Sequence, residues 1–191
     1  IAGKYQKSVS KNTFDNISPI NGKLINKVSL AQKEDINLTV SKAREAFNKG
    51  YWANLPPGQR KKILLKFAEL LERDRLELSL LDTIDMGKTI NDTFNADLPT
   101  SIDNIEWYAE IIDKLFDDIS PSSKEYMGLI TKEPIGVVAA IVPWNYPLWM
   151  AIWKIAPALI TGNSVILKPA EQSPMSAIKI GALLSEAGLP D

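Results

Sequence analysis

The sequence predicts an α/β protein. Two observations carry this. Residues 34–116 repeat apolar side chains at helical spacing, and residues 135–191 alternate continuous apolar runs with helical periodicity, a β-α-β-α order. A hairpin is predicted ahead of the helices, and a short polar strand segment separates the two halves. The division is therefore 1–118 (hairpin and helices), 119–134 (exposed strands) and 135–191 (the start of a parallel β-α-β-α core).

Each element has a local reason. Ser18-Pro19-Ile20-Asn21-Gly22 places Pro and Asn-Gly turn residues between short apolar runs, which predicts a β-hairpin over 12–30. Ile36, Val40, Ala43 and Phe47 then recur at helical spacing over 34–48, and Gly50 follows as a stop. Pro56-Pro57-Gly58 opens the next helix. Ile63, Leu64, Phe67, Leu70 and Leu71 form its apolar stripe, with Arg60, Lys61, Lys62, Glu69 and Arg73 read as the solvated face. The pattern runs on through Leu76, Leu80, Leu81 and Ile84, with a break near Asp74 and a stop at Gly87. A third helix is predicted over about 92–116 from Ile102, Ile105, Ala109 and Ile112; Trp107 and Tyr108 are read as packing residues.

Residues 119–134 are polar and then partly β-like, an exposed strand pair. Ile135–Val142 is an apolar run without alternation, the pattern of a strand buried on both faces. Leu148, Ile152, Ile155 and Leu159 have helical spacing. Ser164–Leu167 is a second buried strand, parallel to the first through a right-handed crossover. Ser173-Pro174 reads as an N-cap followed by a first-turn proline. Ile178, Ala182 and Leu183 form the apolar face of the last helix, and Gly188 caps it.

Composition bounds the chemistry. The 191 residues carry 22 Lys+Arg against 23 Asp+Glu, a formal charge of −1, which argues against a nucleic-acid binder working by bulk positive charge. There is no cysteine and no histidine. This chain alone therefore has no thiolate nucleophile, no Cys/His zinc site and no Ser-His-Asp catalysis. The N-terminus lacks an apolar signal core, and the uncharged stretch Ile135–Trp153 is interrupted by Pro143 and Pro147, so neither secretion nor a membrane span is expected and the location is read as cytoplasmic. The chain begins at Ile1 and stops at a turn-like Gly188-Leu189-Pro190-Asp191, which reads as a piece of something longer.

Ligands of open α/β sheets bind beyond the carboxyl ends of the strands. Two loops qualify. In Pro143-Trp144-Asn145-Tyr146-Pro147, the prolines fix the backbone around Asn145 and the aromatics exclude water. The amide is then either a rigid oxyanion donor or a cap for the helix beginning near Pro147. In Lys168-Pro169-Ala170-Glu171-Gln172-Ser173-Pro174, Lys168 and Glu171 suit ribose hydroxyls, or else form a surface ion pair; the following helix N-terminus suits phosphate. No G-x-G-x-x-G follows the first strand. Lys154, inside an apolar helix, is read as snorkelling to the surface.

Taken together, these blocks resemble the NAD(P)-dependent aldehyde dehydrogenase superfamily: Glu133–Val138, Ile141–Pro147, Trp153–Leu159, Gly162–Pro174 and the earlier Asp85-Met86-Gly87-Lys88. The resemblance spans the whole chain. It implies a Rossmann-like cofactor domain that lacks the glycine fingerprint, with 119–134 as oligomerisation strands and a homodimeric or homotetrameric parent. It implies that Asn145 donates to the thiohemiacetal oxyanion, and that Lys168 and Glu171 contact the adenosine ribose. Ile141, Val142, Pro143, Trp144 and the Pro169-Ala170 turn would line the cofactor site. Lys154 matches a lysine given a charge-relay role in some members. Asp85, with carbonyls of Asn16 and Ile17, matches a monovalent-cation site of some members. Glu171 favours NAD over NADP by repelling a 2′-phosphate. The family reaction oxidises an aldehyde through a cysteine thiolate and a glutamate-activated water. Neither residue is in this chain, so it resembles the N-terminal two-fifths of a member and is expected to be inactive alone. Leu81–Lys88 and Trp107–Lys114 look most like the γ-glutamyl-γ-aminobutyraldehyde dehydrogenases, with betaine-aldehyde and broad-specificity members as alternatives.

Overall fold

The computed structural model describes residues 1–190. The hairpin is present as β1 (Thr13–Ile17) and β2 (Leu24–Ser29), antiparallel, with a register irregularity between Asn16 and Ile17. Its turn closes where the Asn-Gly pair stands, with Gly22 at φ 69° and its amide donating to Ser18 O.

α1 (Lys33–Lys49) begins with a reciprocal cap between Gln32 and Asp35 and ends at Gly50, whose φ of 71° is left-handed. Its predicted stripe is only loosely packed: Ile36 and Val40 are exposed, and Asp35 is its buried residue. α2 (Pro57–Arg73) buries Leu64, Phe67, Ala68, Leu70 and Leu71 as predicted. Arg60 corrects the solvated-face reading. It is buried, donating from Nε to Ile160 O (2.9 Å) and from Nη1 to Ala53 O (3.1 Å) and Leu55 O (2.6 Å). A guanidinium has enough donors to satisfy these three carbonyls at once, so it is buried paired to peptide groups. Burial pushes it down from its ordinary pKa.

α3 (Arg75–Met86) follows directly, with the break at Asp74. Its predicted apolar face is largely wrong: Leu76, Leu80 and Ile84 are exposed, while Leu78, Ser79, Asp82 and Asp85 are buried. The inward polar face meets free amides of two other helices, described below. The third predicted helix is segmented. α4 (Ile90–Asp92) is one turn, Thr93–Asp97 is a π-helix, α5 (Leu98–Ile111) is regular, and Ile112–Lys114 is a 3-10 turn. The predicted face of α5 is right: Ile102, Ile105, Ala109 and Ile112 are buried. Tyr108 is half-buried, and Trp107 meets it edge-to-face at 4.8 Å but is itself exposed.

β3 (Asp118–Ile119) and β4 (Leu129–Ile130) form the exposed antiparallel pair. β5 (Val137–Ile141) and β6 (Ser164–Lys168) are parallel and joined by α6 (Pro147–Ile160). Their entry is set at Gly136, whose φ is 123° and whose missing Cβ would stand 2.8 Å from Arg44 Nη1. Burial on both faces is not realised along β5: Ile135 and Ile141 are exposed, and only Ala140 and Val142 of the run from 137 to 142 are buried. The physical reason is that, among the described residues, β5 has the single strand partner β6.

α7 (Met175–Ala187) has Pro174 at its N-cap, with Gly188 left-handed at its end. Ser173 is therefore not the cap; its hydroxyl donates instead to Trp144 O (3.1 Å). The buried face of α7 is Ser176, Ala177, Ile180 and Leu183, shifted from the predicted one, with Ile178 and Ala182 exposed. The core lies where α2, α5, α6 and α7 meet, around Phe67, Leu71, Ile105, Ile152 and Ile180. No helix among the described residues is long and apolar enough to cross a membrane.

Candidate active-site loops

The two strand-end loops are adjacent because their strands are. The Val142 amide donates to Lys168 O (3.2 Å), extending the ladder by one bond beyond the strands. The Ser173 hydroxyl then ties the second loop to Trp144 O in the first. The polypeptide around Asn145 and that around Glu171 thus form one surface at the carboxyl edge of the sheet.

In the first loop, Asn145 is exposed and Trp144 is half-exposed at 54%. The capping alternative for Asn145 is not realised, since the N-cap of α6 is Tyr146 and the Asn145 side chain makes no bond to that end. The free amide of Leu148 is satisfied from another element, by Asp82 Oδ2 at 3.3 Å. Tyr146 packs edge-to-face on Trp149 (5.2 Å, 86°), and the Lys88 ammonium lies 4.0 Å from the Tyr146 ring centroid. Of the predicted lining residues, Ile141 and Pro143 are exposed and Val142 is buried.

In the second loop, Lys168 Nζ and Glu171 Oε2 form an exposed ion pair at 3.0 Å. The Glu171 amide and the Lys168 ammonium hold the Glu171 carboxyl below the usual carboxylate range. Pro169 is half-buried and Ala170 buried. The N-terminus of α7 is not open to a phosphate at its first amide: Met175 N donates to Asp85 Oδ2 (2.7 Å).

The residues proposed for a cation converge on the same region. Asn16 is 1% exposed, and its Nδ2 donates to Asp85 Oδ1 at 2.7 Å. Asn16 Oδ1 is buried and has no hydrogen-bond partner. Burial raises the Asp85 carboxyl pKa, against the opposing bonds from Asn16 and Met175. A cleft of about 370 Å³ runs past Asn16, Ile17, Asp85, Trp144, Glu171 and Gln172. Lys154 stands apart. It is exposed on α6, with its ammonium over the Trp153 ring at 5.6 Å.

Sequence reasoning missed Asp82, Asp97 and Lys88. Asp82 was hidden because a lone carboxylate inside an apolar helix reads as a surface residue. It is 3% exposed, and burial pushes its carboxyl up to about 7. Lys88 lay within the quoted Asp85–Lys88 motif without a role; it pairs with the buried Asp97 at 2.6 Å.

The aldehyde dehydrogenase family profile matches residues 5–191. The chain belongs to the aldehyde dehydrogenase family. It is 44% identical over all its 191 residues to an NADP/NAD-dependent aldehyde dehydrogenase of Escherichia coli, of which it covers 39%. It is 40% identical to an aminoacetaldehyde dehydrogenase of Pseudomonas aeruginosa, of which it covers 38%. Among solved structures it superposes with a TM-score of 0.98 on the γ-glutamyl-γ-aminobutyraldehyde dehydrogenase of Burkholderia cenocepacia, at 47% identity, covering 100% of this chain and 38% of that one. An indole-3-acetaldehyde dehydrogenase structure complexed with NAD+ matches equally well, with a TM-score of 0.98 and 49% identity over 100% of this chain and 38% of its own. The chain thus spans about two-fifths of the length of these relatives. Its mixed α/β arrangement is that of the family over this segment.

Proposed function

We propose that this chain supplies the oxyanion-donor loop and the ribose-binding loop of an NAD-dependent aldehyde dehydrogenase, which oxidises an aldehyde to a carboxylic acid and whose thiolate and general base lie outside these residues. The observation that carries the reading is the junction of the two loops: Val142 to Lys168, and Ser173 to Trp144. It sets Asn145 and the Lys168–Glu171 pair on one surface at the sheet edge. Lys168 donates to ribose hydroxyls and Glu171 accepts from them. NAD supplies the hydride acceptor when bound. Asn145, free of any capping duty, offers its amide N–H to the oxygen on which negative charge develops. The 191-residue chain, which has no cysteine, binds the nucleotide and does not turn over aldehyde.

The Asn16–Asp85 pair fits a monovalent cation by the chemistry of its donors. The buried, unpartnered Asn16 Oδ1 and the Asp85 carboxylate are the oxygens that would hold it, and the Ile17 carbonyl is nearby in sequence. Lys154, which matches the charge-relay lysine of some family members, is exposed on α6. The exposed β3–β4 segment, with Phe116, Tyr126, Met127 and Leu129 uncovered, is the surface for a second copy of the parent, as a homodimer or homotetramer. The substrate reading follows the relatives toward γ-glutamyl-γ-aminobutyraldehyde, in a cytoplasmic enzyme.

Isothermal calorimetry with NAD on the 191-residue chain tests the cofactor half. Saturable heat whose affinity for NAD is weakened in Glu171→Ala supports it, and absence of heat removes it. Aldehyde-dependent NADH formation by the longer protein containing this chain tests the reaction.

A further inference from the structure

The aromatic that follows Asn145 is held by a cation from elsewhere in the fold. Lys88 stands just after Gly87, the left-handed end of α3, and its ammonium lies 4.0 Å from the Tyr146 ring centroid. Both carboxylate oxygens of Asp97 accept from the same ammonium, at 2.8 and 2.6 Å. Asp97 is 5% exposed and Lys88 20% by side chain, so the pair is largely withdrawn from water. Asp97 closes the π-helix Thr93–Asp97, which is pinned to α3 by the Thr83–Thr93 hydroxyl pair at 2.9 Å. A π-helical insertion shifts the residues after it round the helix axis, and such insertions recur at functional sites. Here it delivers a carboxylate to Lys88. The Tyr146 ring also meets Trp149 edge-to-face at 5.2 Å.

The ring next to Asn145 is therefore held by Lys88, which follows α3 and is itself aimed by Asp97 of the π-helix, and by Trp149 of α6. A partly desolvated ammonium holds an aromatic face more firmly than an exposed one. Fixing the Tyr146 ring fixes its backbone, and with it the peptide joining Asn145 to α6. We infer that Lys88, aimed by Asp97, is the positioning residue for Asn145: it clamps Tyr146 and thereby fixes the direction of the Asn145 amide. The inference rests on the oxyanion reading of Asn145. Lys88 itself touches no reacting atom in this scheme. Its removal acts on the chemical step and leaves the Lys168–Glu171 surface intact.

The test uses Lys88→Met, Lys88→Arg, Tyr146→Leu and the double variant Lys88→Met/Tyr146→Leu. In the 191-residue chain, hydrogen exchange is read at the amides of Leu148 and Met150, which donate to Asp82 and to Tyr146 O. Lys88→Met is expected to speed both about tenfold or more, with the Val165 and Ile166 amides of β6 unchanged. Lys88→Arg restores protection by returning a cation. The double variant matches the single ones, as expected if both act through one contact. Unchanged exchange in Lys88→Met, or additive effects in the double variant, overturns the inference. If Lys88→Met fails to fold, Tyr146→Leu removes the same contact from the other side with the Lys88–Asp97 pair intact. In the longer enzyme, Lys88→Met is expected to lower kcat about tenfold with the KM for NAD unchanged. A matched loss in NAD binding overturns the positioning role. A wild-type enzyme that oxidises no aldehyde would sink the proposed function, while the exchange data would still decide whether Lys88 holds the loop.

Discussion

Asp82 and Asp85 lie three residues apart on the buried face of α3, and each satisfies the first turn of a different loop-bearing helix. Asp82 accepts from Leu148 N at the start of α6, and Asp85 accepts from Met175 N at the start of α7. One helix face thus sets the positions of both loops. A carboxylate near a helix N-terminus is also favoured by the helix dipole, which offsets part of the cost of burying it.

The Asp82 carboxyl titrates near pH 7 in the folded chain, against 3.8 for an unburied aspartate. Burial dominates. The nearby Asp85 and Asp97 add to it, and the bond from Leu148 N opposes it. The folded state therefore holds the proton more tightly than the unfolded state. The stability from this site is full below pH 3.8 and is lost as pH rises from there through 7, by a few kcal/mol in order of magnitude. The melting temperature of wild type relative to Asp82→Asn should fall between pH 5 and pH 8. A difference that is flat with pH would contradict this.

Arg60 should be far more costly to remove than its neighbour Lys61. Arg60→Ala orphans the carbonyls of Ala53, Leu55 and Ile160 and opens space at the start of α2, so it should cost about 3 kcal/mol or more. Lys61 pairs with the exposed Glu110 and Asp113, and Lys61→Ala should cost far less, since exposed ion pairs contribute little. Urea titration of both variants measures the contrast.

Faces of α3 and α5 should respond oppositely to truncation. Ile105→Ala empties a fully buried site and should cost about 2–5 kcal/mol. Leu80→Ala, on the exposed side of α3, should stay within about 0.5 kcal/mol in the 191-residue chain. Equal losses would mean that the Leu76–Leu80–Ile84 face is covered in solution.

The Lys168–Glu171 pair separates stability from recognition. Glu171→Ala breaks an exposed ion pair and should change stability by about 1 kcal/mol or less. If Glu171 sits at the ribose as proposed, the same change removes a charge that would repel a 2′-phosphate, so the NADP to NAD affinity ratio should rise about tenfold by calorimetry. A ratio that does not move would remove Glu171 from cofactor choice.

On the proposed oxyanion role of Asn145, Asn145→Ala in the longer enzyme should lower kcat about a hundredfold or more. An undiminished kcat would return Asn145 to a structural role in the loop.

The order of elements was legible because each is punctuated locally. Asn21-Gly22, Gly50, Gly87, Gly162-Asn163 and Gly188 stand at turns or helix ends, and Pro57 and Pro147 at helix starts. The core faces of α2 and α5 were legible because they pack on other apolar faces. The face of α3 was not, because its partners are backbone amides of α6 and α7, and hydrophobic periodicity is blind to them. The same blindness hid Arg60, whose partners are carbonyls. The two strand-end loops could be read from the sequence, since a parallel β-α-β unit fixes where its loops emerge. The clamp behind them could not, because it joins residues 88, 97 and 146, which only the tertiary fold brings together.

The parallel pair β5–β6 has a colloidal consequence. Among the described residues each strand has one partner, so each presents one edge of unpaired peptide groups, and the exposed Ile135 and Ile141 flank the β5 edge. Such an edge is a template for another strand. A concentrated solution of the 191-residue chain will therefore associate through its sheet edges, and its self-association will grow with concentration even under conditions where the helical core is fully folded.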